Sequence, residues 1–179
     1  MKKGGIGGGN TKTGINFEGK TDFINLLDNL PGYSTKKVEI GYEIFFRNEL
    51  VAQSFKKYDF YKFLNSKSIE WQKIVSKRLL PDDAIYVIHN NILYILEMKY
   101  QEVGGSVDEK LQTCDFKIKQ YKKIMSQLNI DIKYIYILND WFRKDCYKDV
   151  LDYVISVDCQ YYFEYLPLQK IGLPVPKTN

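Results

Sequence analysis

Histidine and cysteine are scarce in this chain: there is one histidine, His89, and three widely separated cysteines, Cys114, Cys146 and Cys159, with no C-x-x-C pair. That excludes a legible zinc site and a disulfide framework, and predicts free thiols in a reducing compartment. Long apolar runs are missing too. No stretch reaches the roughly 20 uninterrupted apolar residues of a membrane-spanning helix, and the opening MKKGGIGGGN carries charge with no apolar run behind it. It does not read as a secretory leader, so a soluble cytoplasmic protein is expected. Charge of one sign is weak as well, because a net +4 is too small to argue for nucleic acid by itself. What is present in quantity is core-forming material. With 179 residues, 45% of them hydrophobic and 15% aromatic, the chain can build one domain core and is not a disordered tail.

A Gly-rich arm, residues 1–13, precedes a predicted helix whose face carries Phe17, Phe23, Ile24, Leu27 and Leu30 and which ends at Pro31-Gly32. EIFFRNELVAQSF predicts a hairpin about Arg47-Asn48, and Phe60 to Leu64 a helix. Ser68 is placed to cap a further helix, IEWQKIVSKRLL, that Pro81 stops. Ser106 to Leu128 predicts one long helix, with Ser106 as N-cap, Glu109 completing a capping box, and Leu111, Cys114, Ile118, Tyr121, Ile124, Met125 and Leu128 near one face. IKYIYIL is a buried strand, residues 144–155 a helix and QYYFEYL a last strand, an α/β pattern with a mixed sheet and no convincing linker. Lysines interleave with aromatics in FKKYDFYKF and DFKIKQYKK, which suits either a solvated helix face or contact with phosphates.

The chemistry concentrates in PDDAIYVIHNNILYILEMK, residues 81–99. Two runs rich in Ile, Val, Tyr and Leu flank Asn90-Asn91, a pair able to take positive φ, and predict antiparallel strands with a tight turn. With Asn90 and Asn91 as the two loop residues, His89 faces Ile92, Ala84 faces Glu97 and Asp82 faces Lys99. Side chains alternate, so Asp82, Glu97 and Lys99 share one face and Asp83 takes the other. Two carboxylates of this kind suffice for Mg²⁺, which prefers oxygen ligands and keeps several waters. Lys99 would orient an attacking water or offset charge growing on a phosphoryl group. A bulge or a three-residue turn would swap the faces and bring Asp83 forward instead.

Pro81-Asp82 followed by Glu97-Met98-Lys99 resembles the signature of the PD-(D/E)XK nuclease superfamily. GSVDEKLQT (residues 105–113), NTKTGINFE (10–18) and PLQKIGLP (167–174) are similar to segments of type II restriction endonucleases, so the resemblance spans most of the chain. It implies a restriction-endonuclease-like core, a mixed central β-sheet flanked by α-helices, in a single domain over residues 1–179. It also implies Mg²⁺-dependent cutting of double-stranded DNA at a short specific sequence, by a homodimer paired with a DNA methyltransferase in a prokaryotic cytoplasm. Carried over by residue, Asp82 and Glu97 would hold the metal and Lys99 would be the catalytic lysine. Glu18 matches the family's carboxylate on an early helix, or is an exposed first-turn Glu favoured by the helix dipole. Asn10, Thr11 and Lys12 in the arm, and Gln101 beyond Lys99, are candidate DNA contacts beside the plainer readings of a flexible terminus and an exposed strand end.

Rival readings remain. The same three residues serve DNA repair or recombination nucleases of the superfamily, and a non-catalytic DNA-binding subunit could keep the scaffold. GINFEGKT, residues 14–21, matches the phosphate-binding P-loop pattern, yet no buried strand is predicted before it. An HNH nuclease is disfavoured because His89 stands alone.

Overall fold

The computed structural model describes residues 13–17, 22–103 and 107–176. In chain order the strands are Gly14–Asn16 (β1), Tyr33–Lys37 (β2), Tyr42–Phe46 (β3), Glu49–Ser54 (β4), Asp83–Val87 (β5), Ile92–Lys99 (β6), Asp131–Leu138 (β7), Cys159–Phe163 (β8) and Tyr165–Pro167 (β9). The α-helices are Phe23–Asp28 (α1), Tyr58–Ser66 (α2), Val107–Leu111 (α3), Cys114–Met125 (α4) and Lys148–Ser156 (α5). Among the described residues β2 to β8 form one seven-stranded sheet in sequence order, and β1 pairs with β9 in a second, two-stranded sheet. Each successive pair from β2 to β6 is antiparallel. Strand β7 is parallel to β6 across the α4 connection, and β8 is parallel to β7 across α5, so the sheet is mixed.

Alternation sends the two faces of this sheet to two cores. Ala84, Leu93, Ile95, Tyr134, Tyr136 and Leu138 meet buried residues of α2, α4 and α5, among them Phe60, Leu64, Cys114, Ile118, Tyr121 and Val154. Ile85, Val87, Tyr94, Leu96, Met98, Ile135 and Ile137 meet α1, the β1–β9 pair and the C-terminal segment through Phe23, Leu27, Leu166 and Ile171. β6 and β7 are covered on both faces, which is why their sequences run nearly continuously apolar.

Several expectations hold locally and fail in extent. The β3–β4 hairpin turns at Arg47 and Asn48, with φ of 50° and 68°, as a two-residue loop requires. The β5–β6 hairpin does not have such a loop. Val87 faces Ile92 and four residues, Ile88 to Asn91, make the turn. Asn91 has positive φ (55°), whereas Asn90 works through its side chain, accepting from the Ile92 N–H at 3.2 Å and donating to Tyr94 at 3.1 Å. The predicted register is therefore displaced by two residues, a shift that preserves which side chains share a face.

The helix predicted from Ser68 is a single 3₁₀ turn, Trp71–Lys73. Ser68 takes φ 58° and closes α2, the Ile69 N–H returning to the Leu64 carbonyl, so the residue ends one helix and starts none. The long helix is broken into α3 and α4, because Thr113 turns both its N–H and its hydroxyl onto the Lys110 carbonyl. Its apolar face is nonetheless buried as expected from Leu111 through Met125, while Ser106 lies outside the described residues. Phe17 is buried but stands after β1 and outside α1, whose N-cap is Asp22, accepting from the Asn25 N–H. QYYFEYL divides at Glu164 (φ 54°) into β8 and β9, and β2 went unpredicted. No helix among the described residues is long and apolar enough to cross a membrane.

Candidate active site

Glu97 and Lys99 project from β6 on the same side as Leu93 and Ile95, the face that α4 covers. In the parallel neighbour β7, Tyr136 lies opposite Glu97 and Tyr134 precedes it on the same face. On the antiparallel side the last pair is Asp83 with Leu96. Continued by one residue, that register brings Asp82 opposite Glu97, where a two-residue turn would have set it against Lys99. The Asp82 carboxylate is fixed there by accepting the Met98 N–H at 3.0 Å.

Glu97 is the hub. Its side chain is 13% exposed, and Lys99 Nζ meets Oε1 at 2.5 Å. Lys117, one turn into α4, places its Nζ 2.6 Å from Oε1 and 2.8 Å from Oε2, and the Tyr134 hydroxyl donates to Oε2. Burial opposes charging this carboxyl, but the Lys99 and Lys117 ammonium groups prevail and hold it below its usual range, so Glu97 is an anion at neutral pH. The surrounding phenols respond in the opposite sense. Tyr134 and Tyr136 are pushed well up by burial first and by the Glu97 charge second, and so remain protonated donors. Tyr121 is raised by burial, then by Glu97, with Tyr61 and Asp82 adding to it, which puts one ring in the field of both carboxylates.

Asp83 occupies the other face. It is fully buried, its Oδ1 accepts from the Ser54 hydroxyl at 2.9 Å, and its Oδ2 has no hydrogen-bond partner among the described residues. Burial raises its pKa to about 7, with Lys56 and Ser54 pulling it down and Asp22 and Asp82 pushing it up. Beside Asp82 a cleft of about 440 Å³ is lined by Asp22, Lys56, Lys57, Asp82, Met98 and Tyr100, and Lys56 is paired with Asp22 at 3.0 Å.

The oxygen-only donors of Asp82 and Glu97 suit a hard cation such as Mg²⁺. No group of three or more His, Cys, Asp or Glu side chains fit to hold a metal occurs among the described residues, and Asp82 and Glu97 would offer a metal two carboxylates. Two such ligands with water and substrate phosphate make a sufficient Mg²⁺ site.

The other candidates are placed as follows. Asn10, Thr11, Lys12 and Glu18 lie outside the described residues. Gln101 is beyond the end of β6 and buried instead of exposed; its backbone exchanges hydrogen bonds with the Asn139 amide and its side chain donates to the Val103 carbonyl. In the lysine–aromatic segments Phe60, Tyr61, Phe63 and Tyr121 are core, while Lys62, Lys119 and Lys122 pair with Asp59, Asp115 and Asp158. Gly14–Asn16, where a phosphate loop would begin, is strand paired to β9. His89 is an exposed turn residue.

Sequence reasoning missed Lys117 and Tyr134. Lys117 had a signal: it falls three after Cys114 and four before Tyr121, on the stripe whose other members are buried. Compared with known proteins, the chain matches no family model, no curated sequence and no solved structure.

Proposed function

We propose that this protein is a Mg²⁺-dependent nuclease hydrolysing phosphodiester bonds of double-stranded DNA at a short specific sequence. In this reading it is a type II restriction endonuclease with a PD-(D/E)XK site, working as a homodimer in a prokaryotic cytoplasm alongside a protective methyltransferase. What supports the reading is the Lys99 ammonium 2.5 Å from Glu97 at the open end of one central hairpin, with a strand register that, continued by one residue, sets Asp82 opposite Glu97. A mixed sheet with both motif strands in its interior is compatible with a restriction-endonuclease-like core.

Asp82 and Glu97 would hold the metal, which when bound makes water nucleophilic at neutral pH and neutralises phosphoryl charge. The rest falls to the chain itself. Glu97, kept ionised by its ammonium neighbours, would offer the metal an anionic oxygen at neutral pH. Lys99, on the same strand face, donates toward the phosphoryl oxygens as their charge grows. Tyr134 holds the Glu97 carboxylate in orientation, and the Met98 N–H does the same for Asp82. Lys56 and Lys57 in the adjoining cleft would meet backbone phosphates, Lys56 leaving Asp22 to do so, and DNA binding would then weaken with salt.

Incubation of the purified protein with Mg²⁺ and unmethylated plasmid or phage DNA is expected to yield discrete fragments. A smear, or cutting confined to branched or nicked DNA, would move the function to a repair nuclease. Absence of cutting on every DNA form with Mg²⁺ or Mn²⁺ would contradict the reading.

A further inference from the structure

The candidate site holds one cation more than the motif supplies. Lys99 comes with the motif, whereas Lys117 arrives from a separate helix and spans both oxygens of Glu97, at 2.6 and 2.8 Å. These are the oxygens that a metal ion would need. In formal charge, Glu97 and Asp82, just ahead of the neighbouring strand, contribute two negatives and Lys99 and Lys117 two positives, so these four groups sum to zero. A divalent cation would leave them doubly positive in a half-buried setting where like charges are poorly screened. One ammonium has to leave.

The two lysines differ in how they can leave. Lys99 sits two residues from Glu97 on the same strand face, so its stem keeps it beside the carboxylate whatever its head group does. Lys117 is tethered only through α4, is 24% exposed against 18% for Lys99, and carries a flexible four-carbon stem that can deliver its charge to water. We infer that Lys117 is a resident counter-ion: it neutralises Glu97 in the metal-free protein and is displaced into solvent when a divalent cation takes that carboxylate. The inference rests on the nuclease reading and adds to it a device that weakens metal binding while preventing an uncompensated buried carboxylate in the resting protein.

The test is Mn²⁺ titration of the full chain without DNA, followed by the electron paramagnetic resonance signal of the free ion, in wild type, Lys117→Met, Lys119→Met and Glu97→Gln. Lys117→Met keeps the stem and removes the charge, and is expected to tighten Mn²⁺ roughly tenfold. Lys119→Met, whose lysine pairs with Asp115 on the exposed side of the same helix, should leave the affinity unchanged. Glu97→Gln should lose the ion. Should Lys117→Met fail to fold, Lys117→Gln removes the same charge and carries the same expectation. Unchanged or weaker Mn²⁺ binding in the Lys117 variant, with Glu97-dependent binding intact in wild type, overturns the counter-ion and leaves the nuclease reading standing. No Glu97-dependent Mn²⁺ binding in wild type or the Lys117 variant also overturns the counter-ion, and the nuclease reading then stands or falls on the DNA-cutting assay.

Discussion

Glu97 and Asp83 lie on opposite faces of one hairpin, both withdrawn from water, and they meet opposite fates. Glu97 receives two ammonium groups and a phenol and is held below the usual carboxylate range. Asp83 receives one hydroxyl at 2.9 Å and is raised to about 7 by burial. Burial alone therefore does not set the charge of a carboxylate here. The supply of donors does, and it differs because one face is covered by α4 with Lys117 aimed inward, while the other is closed by apolar side chains and Ser54. The cation-rich face holds an anion at neutral pH. The other face holds an acid poised to be neutral.

The sharpest way to break this comparison is to remove the charges of the cation-rich face. Glu97→Gln and Lys99→Met are each expected to lower the cutting rate on the order of a thousandfold or more, as loss of a preorganised charge does in other active sites. Circular dichroism and DNA binding in Ca²⁺ should stay close to wild type. Cutting by either variant at the wild-type rate would contradict the roles given to these residues.

The next effect is one of stability and concerns both faces. Asp83 has a folded-state pKa raised from 3.8 to about 7, so its contribution to stability is fully present below pH 3.8 and is lost as pH rises toward 7. Glu97 is depressed, so its contribution is present above its ordinary pKa of 4.5 and is lost only in acid, as pH falls through its lowered value. Asp83→Asn should therefore raise the melting temperature at pH 8 more than at pH 5. An equal change at the two values would mean that Asp83 is already charged in the folded protein. A smaller effect is expected from Ser54→Ala. It strips Asp83 of its one hydroxyl donor and should cost roughly 1 kcal/mol at pH 8, measured by urea unfolding.

The shared face of Glu97 and Lys99, and the opposite face of Asp83, were legible in the sequence because side-chain alternation survives a two-residue register shift. The register itself was not, since the turn depended on Asn90 bonding through its side chain and not its backbone. Lys117 was hidden in a lysine-rich helix whose Lys119 and Lys122 do pair at the surface, so composition pointed to a solvated face. Element extents failed where a single residue changed its role: Ser68 closed α2, Thr113 broke the long helix and Glu164 divided the last strand between two sheets. None of these is visible in hydrophobic periodicity, which reports burial and not backbone hydrogen bonding.

The central claim is that Asp82, and not its neighbour Asp83, joins Glu97 in the hydrolytic site. The measurement that addresses it most directly is Mg²⁺-dependent cutting at pH 8 by Asp82→Asn and Asp83→Asn, each verified as folded. The account predicts that Asp82→Asn binds DNA without cutting it, while Asp83→Asn cuts at close to the wild-type rate. Loss of cutting in folded Asp83→Asn together with retained cutting in Asp82→Asn would contradict it.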